Sequence, residues 1–144
     1  MTELGIYNKQ RTSVKGMEKL TQLEMLSLRN NKLTDVKGLE KLTKVGELYL
    51  SDNKLTDVKG LENLTQLKTL YLNNNQLTDV KGLEKLTLLE ELWIVANQLT
   101  NVKGLEKLDK LETLVLSYNH ALTKAQIDEL QKASPNSTIL SDCE

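Results

Sequence analysis

The apolar positions of this chain recur with a fixed period. Written in register, the sequence gives LEMLSLRNNKLTDVKGLEKLTK from Leu23, VGELYLSDNKLTDVKGLENLTQ from Val45, LKTLYLNNNQLTDVKGLEKLTL from Leu67 and LEELWIVANQLTNVKGLEKLDK from Leu89, four successive 22-residue units without an insertion. The register runs backward into residues 1–22, where Leu4, Ile6, Thr12, Val14, Gly16, Met17 and Leu20 fall in place while Lys9 and Arg11 replace the usual Asn and Leu. It runs forward into LETLVLSYNHALT from Leu111, with one extra residue before Leu122. Self-similarity at such a period is the mark of a stacked repeat architecture with degenerate, capping ends. One unit carries seven apolar positions, for example Leu67, Leu70, Leu72, Leu77, Val80, Leu83 and Leu86. Their burial alone does not offset the entropy of ordering a whole unit, so the units must cover one another.

Within a unit the spacing changes from two to three. The alternation Leu70, Tyr71, Leu72 predicts a short strand with one buried face, and identical neighbouring strands predict a parallel sheet. The V-x-G-L-x-x-L stretch predicts a short 3₁₀ turn on the opposite side, with Gly38, Gly60, Gly82 and Gly104 permitting the bend. Asn31, Asn53, Asn75, Asn97 and Asn119 are predicted to be buried amides that satisfy the backbone of neighbouring coils with both donors and acceptor. After the repeats, Thr123 followed by Gln126 forms a capping box, Ala125, Ile127, Leu130 and Ala133 give a partial helical stripe, and Pro135 supplies a stop. A helix is predicted near residues 124–133, followed by a last strand at Thr138, Ile139 and Leu140; together they would close the end of the stack. The competing reading makes that helix itself a binding element.

The pattern L-x-x-L-x-L-x-x-N-x-L-T-D-V-x-G-L-x-x-L resembles the 22-residue class of leucine-rich repeats found in bacterial internalins and SDS22-like proteins, over about residues 1–122. The resemblance implies an α/β solenoid: a right-handed horseshoe or arc with a concave parallel sheet of six to seven short strands, a convex side of short 3₁₀ turns and a C-terminal capping helix. It also implies a protein-binding role. Two features depart from the family's members: the residues before the first regular unit do not predict the helical N-terminal cap of internalins, and the tail does not resemble the cap of SDS22-type phosphatase regulators. The expected organisation is one domain over 1–144, with a degenerate first repeat at 1–22, regular repeats at 23–110, a last strand and turn at 111–122, and a helix–strand cap at 123–144.

The register also assigns the surface. The residue between the last two leucines of each strand, and the two after them, are predicted to face outward from the concave side. The central column reads Gly5, Ser27, Tyr49, Tyr71, Trp93 and Val115; the next reads Tyr7, Arg29, Ser51, Asn73, Val95 and Ser117; the third reads Asn8, Asn30, Asp52, Asn74, Ala96 and Tyr118. All four tyrosines and the one tryptophan fall in these columns, and the chain has no phenylalanine. The convex segment T-D-V-K-G-L-E, in contrast, recurs unchanged from Thr34, Thr56 and Thr78, and a surface that repeats itself distinguishes no locus of a partner from another. Strand starts carry Glu24, Glu47, Glu90, Glu91 and Glu112 against Lys68, which makes one edge of the concave face acidic and suits a partner with basic residues beside an apolar anchor. The candidate partner-binding set is Tyr7, Arg29, Glu47, Tyr49, Tyr71, Asn73, Glu91, Trp93, Val95, Val115 and Tyr118. The plainer account of the aromatics is cross-strand stacking that stabilises the sheet; the functional account is an interface hot spot.

Composition narrows the rest. A net charge of −1 gives no bias toward nucleic acid, and no apolar run is long enough for a membrane span, so neither a nucleic-acid partner nor membrane insertion is expected. No signal-peptide pattern is seen, leaving a cytoplasmic chain and one secreted after processing both open. His120 is the one histidine and Cys143 the one cysteine, so neither a histidine pair nor a multi-cysteine metal site can form, and Cys143 reads as an incidental thiol near the chain end. Asp35, Asp57 and Asp79 repeat every 22 residues, but Lys37, Lys59 and Lys81 follow two residues later and are expected to neutralise them. No cofactor is expected. The sequence therefore predicts a monomeric, non-catalytic protein-binding module; the alternative is a structural or self-assembling subunit, or a fragment of a larger surface protein.

Overall fold

The computed structural model describes residues 1–142, so Cys143 lies outside the described residues. Seven short strands follow one another in chain order: β1 (Glu3–Gly5), β2 (Met25–Ser27), β3 (Glu47–Tyr49), β4 (Thr69–Tyr71), β5 (Glu91–Trp93), β6 (Thr113–Val115) and, after α1 (Lys124–Ala133), β7 (Thr138–Leu140). They form one parallel sheet in the order β1-β2-β3-β4-β5-β6-β7. Each regular strand begins one residue earlier than the L-x-L alternation suggests. The ladder nonetheless runs past the strand ends, since Leu72 N–H donates to the Trp93 carbonyl at 2.7 Å and Asn74 N–H to that of Val95 at 2.8 Å.

The 22-residue period fixes the register. Leu4, Leu26, Leu48, Leu70, Leu92 and Leu114 stand in one row that ends at Ile139. The seven apolar side chains of the third regular unit are all fully buried, and one core of such units runs the length of the stack. Opposite the sheet the chain turns through 3₁₀ segments at Leu61–Asn63, Leu83–Lys85 and Leu105–Lys107. The same i to i+3 bonding recurs in the first regular unit, where Leu42 N–H donates to the Leu39 carbonyl at 2.9 Å. The glycine before each turn takes φ near +100°, as Gly60 and Gly82 do at 102°, a conformation that L side chains resist.

The asparagines form the expected ladder. Asn75 Nδ2 donates to the carbonyls of Leu72 in its own coil and Leu50 in the preceding one, both at 3.1 Å, while its Oδ1 accepts the Leu55 N–H at 3.0 Å. Asn53 repeats this with Leu50, Leu28 and Leu33, and Asn119 with Leu116, Ile94 and Leu99. One amide thus joins two coils: a leucine at position 75 would leave the Leu55 N–H unpaired and take one of two amide donors from the Leu50 and Leu72 carbonyls, which Asn53 and Asn97 also serve.

At the C-terminal end Thr123 and Gln126 make the capping box in both directions, at 3.2 and 2.9 Å. Ile127 and Leu130 of α1 are buried, and α1 packs beside the 3₁₀ turn Leu105–Lys107 of the fourth regular unit, with Gln126 Nε2 donating to the Thr100 carbonyl at 3.0 Å. Among the described residues, β1 has no strand on its outer side, and Leu4, Ile6 and Leu20 there are only partly buried.

The structure corrects two expectations. Asp35, Asp57 and Asp79 do not pair with the following lysine ammonium groups; each Oδ1 accepts the main-chain N–H of Lys37, Lys59 or Lys81, at 3.0–3.1 Å. A local turn needs only an oxygen acceptor, so Asn101 serves equally, accepting the Lys103 N–H at 3.1 Å. Among the described residues the ion pair seen is Lys124 with Asp128 on α1, at 2.7 Å. The third outward column is also more than surface. Asn8, Asn30, Asp52, Asn74, Ala96 and Tyr118 all lie in the left-handed region, with φ between 55° and 61°, so these residues turn the chain out of the strand. Asn and Asp tolerate that conformation; Ala96 and Tyr118 occupy it at a cost.

Candidate protein-binding face

The outward row of the sheet is Gly5, Ser27, Tyr49, Tyr71, Trp93, Val115 and Leu140, set by strand register alone. Tyr49 and Tyr71 meet edge to face with ring centroids 5.2 Å apart and planes at 76°. Tyr71 and Trp93 stack at the same 5.2 Å with planes at 19°. Parallel strands lie about 4.8 Å apart, so aromatic residues on adjacent strands in one row come into contact without distortion. All three rings are half-buried.

Glu91 ties the row together. Its Oε1 accepts both the Tyr71 hydroxyl and the Trp93 Nε1–H, each at 3.1 Å. Burial, chiefly, and then the Glu91 carboxylate hold the Tyr71 phenol above its ordinary pKa. The Tyr49 phenol is raised in the same direction, first by burial and then by Glu47 and Glu91. The two phenols therefore stay protonated and act as donors toward the carboxylates.

The second column is braced by its own polar groups. Ser51 Oγ accepts the Asn73 N–H at 3.1 Å, and Asn73 Oδ1 accepts the Val95 N–H at 2.8 Å. At the N-terminal end the Arg29 guanidinium carbon lies 5.5 Å from the Tyr7 ring centroid, within range of a cation–π contact. Tyr7 itself packs over Gly5, where an added Cβ would meet Tyr7 Cε1 at 2.7 Å.

The candidate residues are therefore gathered on one side of the sheet, but not equally exposed. Tyr7, Arg29 and Glu47 are exposed, and Glu91, Asn73 and Val95 half-buried. Val115 departs from its expected exposure: it is only 6% exposed, between Trp93 and Leu140 on the adjacent strands. Leu140 takes its place as an apolar surface group, 50% exposed, and was not singled out in the sequence because β7 falls off the 22-residue period. Tyr118 is 60% exposed at the end of its column, its ring 6.2 Å from that of His120. A shallow groove of about 1110 Å³ lies elsewhere, between α1 and β7, with Ala125, Gln131, Pro135 and Ile139 in its walls.

Among the described residues, no group of three His, Cys, Asp or Glu side chains is placed to hold a metal ion, and no helix is long and apolar enough to cross a membrane. Comparison with curated proteins yields no sequence match. Among solved structures the chain is similar to an internalin (inlF) of Listeria monocytogenes, with TM-score 0.92 and 28% identity over 100% of this chain and 42% of that one. It is similar to a leucine-rich-repeat protein of Leptospira interrogans, with TM-score 0.90 and 32% identity over 96% of this chain and 36% of that one. It is also similar to internalin C2 of Listeria monocytogenes, with TM-score 0.72 and 30% identity over 99% of this chain and 73% of that one. The chain thus spans less than half the length of the first two. The family described as Leucine Rich repeats (2 copies) matches residues 21–63, 44–85 and 65–103. The matched segments together span residues 21–103, more than half of the 144, and the chain belongs to the leucine-rich-repeat family.

Proposed function

We propose that the chain is a non-catalytic, monomeric protein-binding module that holds its partner on the concave face, with Tyr49, Tyr71 and Trp93 as the anchor. The leucine-rich-repeat fold commonly mediates protein–protein interaction, and this is the general support for the reading. The observation that carries it is the ring row itself. Three aromatic side chains are held in contact and braced by one carboxylate, yet each keeps part of its surface in solvent. Tyr and Trp dominate interface centres because they offer large contact area with few rotatable bonds, and rings already fixed lose little further freedom on docking. Glu47 and Glu91 beside the row favour a partner with basic residues next to an apolar anchor.

Affinity capture with the wild-type chain and a Tyr49→Ser, Tyr71→Ser, Trp93→Ser variant, shown to be folded by circular dichroism, tests the reading. A partner retained by the wild type and lost by the variant supports it; equal retention moves the site off this face. The second reading, a self-assembling subunit, is favoured by the outer edge of β1, which no strand among the described residues covers, with its partly buried Leu4, Ile6 and Leu20. Sedimentation over a concentration series separates the two, since a monomer at high concentration excludes assembly through that edge.

A further inference from the structure

The charges on the two sides of the concave face are of opposite sign. Glu24, Glu47, Glu90, Glu91 and Glu112 sit at the strand starts, with Lys68 as the exception. Beyond the strand ends of the N-terminal coils stand Lys9, Arg29, Lys32 and Lys54, all exposed, with Asp52 as the exception. Arg29 follows its register mate of Glu47 by four residues, so the two rims are about 13 Å apart along the strands.

Arg29 faces a hollow. The aromatic row steps down at Ser27, and the cleft left there, about 480 Å³, is lined by Tyr7, Ser27, Arg29, Tyr49, Ser51 and Tyr71 among others. Two of its floor residues are serines, so a short side chain can enter where a ring would not. The Arg29 guanidinium lies against Tyr7, and among the described residues no ion pair neutralises it. Asp52 also lines the cleft, but it occupies the left-handed turn position that Asn fills in three other coils, and it makes no ion pair with Arg29.

We propose that this cleft is a second subsite that receives a carboxylate side chain of the protein partner, placed next to the partner's apolar anchor, and so fixes the direction in which the partner lies. The partner's acidic group sits at Arg29 on the strand-end side and its basic group faces Glu47 and Glu91 on the strand-start side. A guanidinium offers a fork of donors matched to a carboxylate, and a reversed partner would set like charges against each other on both rims. The inference rests on the reading of this face as a protein-binding surface.

Panning a library of random displayed peptides on the folded protein tests it. The selected peptides are expected to carry Asp or Glu within a few residues of an aromatic or aliphatic anchor. For a synthetic peptide of that sequence, fluorescence anisotropy should show Arg29→Glu weakening binding about tenfold or more, the loss of one charge-assisted contact. Replacing the peptide's acid by Lys should restore binding to the Arg29→Glu protein, and Asp52→Asn should tighten binding of the original peptide. Peptides that depend on Tyr49, Tyr71 and Trp93 but show no acidic preference, or bind Arg29→Glu as well as wild type, overturn the subsite and leave the binding face standing. A selection that yields no peptide dependent on either set of residues overturns both.

Discussion

Ala96 sits in a left-handed conformation that Asn or Asp occupies in four of the other coils. Its Cβ crowds the following carbonyl there, whereas the short polar side chain of Asn bonds locally and tolerates the geometry. Ala96→Asn is expected to stabilise the protein by about 0.5–1 kcal/mol, read as a higher urea midpoint with an unchanged slope. The ladder amides lie at the other extreme. Asn75→Ala removes bonds to Leu50, Leu72 and Leu55 and leaves a buried N–H unpaired, and it is expected to cost about 3 kcal/mol in the same titration. The amide ladder was legible from its spacing. The left-handed column was not read as a turn, although its signal, Asn or Asp at 8, 30, 52 and 74, was present; period-two alternation carried past the strand end made these residues look like plain surface.

The convex turn is held by a contact that the spacing of its residues did not reveal. In each regular unit the glutamate after the glycine reaches back, as Glu40 Oε2 accepts the Gly38 N–H and Glu84 Oε2 the Gly82 N–H, both at 2.8 Å. The Glu40 carboxyl lies below its ordinary pKa, owing first to its own main-chain N–H and then to that of Gly38; Glu84 is lowered by its own N–H and, more weakly, by Gly82. A carboxyl lowered on folding holds its proton less tightly in the folded state. Its contribution is therefore present above the unfolded pKa, near 4.5, and is lost as pH falls through the folded value. Glu40→Gln with Glu84→Gln is expected to flatten the acid side of the stability profile below that pH and leave the slope near neutrality unchanged, measured by urea titration across pH. Because these half-buried side chains lie at the surface, where solvent screens the interaction, the effect is a small one. The glycine was legible as a bend and the glutamate only as a charged surface residue, since nothing in a V-K-G-L-E string shows that its carboxylate turns inward to an amide.

Across the whole molecule, order is unevenly distributed. Among the described residues each inner coil is covered on both sides, but β1 on one, and the residues of β1 are exposed or half-buried while the inward leucines of β3, β4 and β5 are sealed. In a stack stabilised by nearest-neighbour interfaces, the end with one interface opens first. Amide hydrogen exchange is expected to be fastest in the first coil, slowest through β3, β4 and β5, and intermediate at β7, toward the end where α1 packs beside the fourth regular unit; uniform protection would contradict this. Fold was legible in the sequence because every unit repeats the same solution, and the helix Lys124–Ala133 because Thr123 and Gln126 announce its start. The surface was legible only where the period held. Val115, expected at the surface, is covered and Leu140 beside it is exposed: β7 lies 25 residues after β6 rather than 22, and the repeat pattern assigned no outward position there. The same row carries a further consequence. Trp93 is the one indole in the chain, so its fluorescence arises from a single known place, in contact with Tyr71 and beside the Glu91 carboxylate. Any molecule that settles on this face changes the polarity around that ring, and the protein's own emission colour and quenching become a label-free optical record of occupancy.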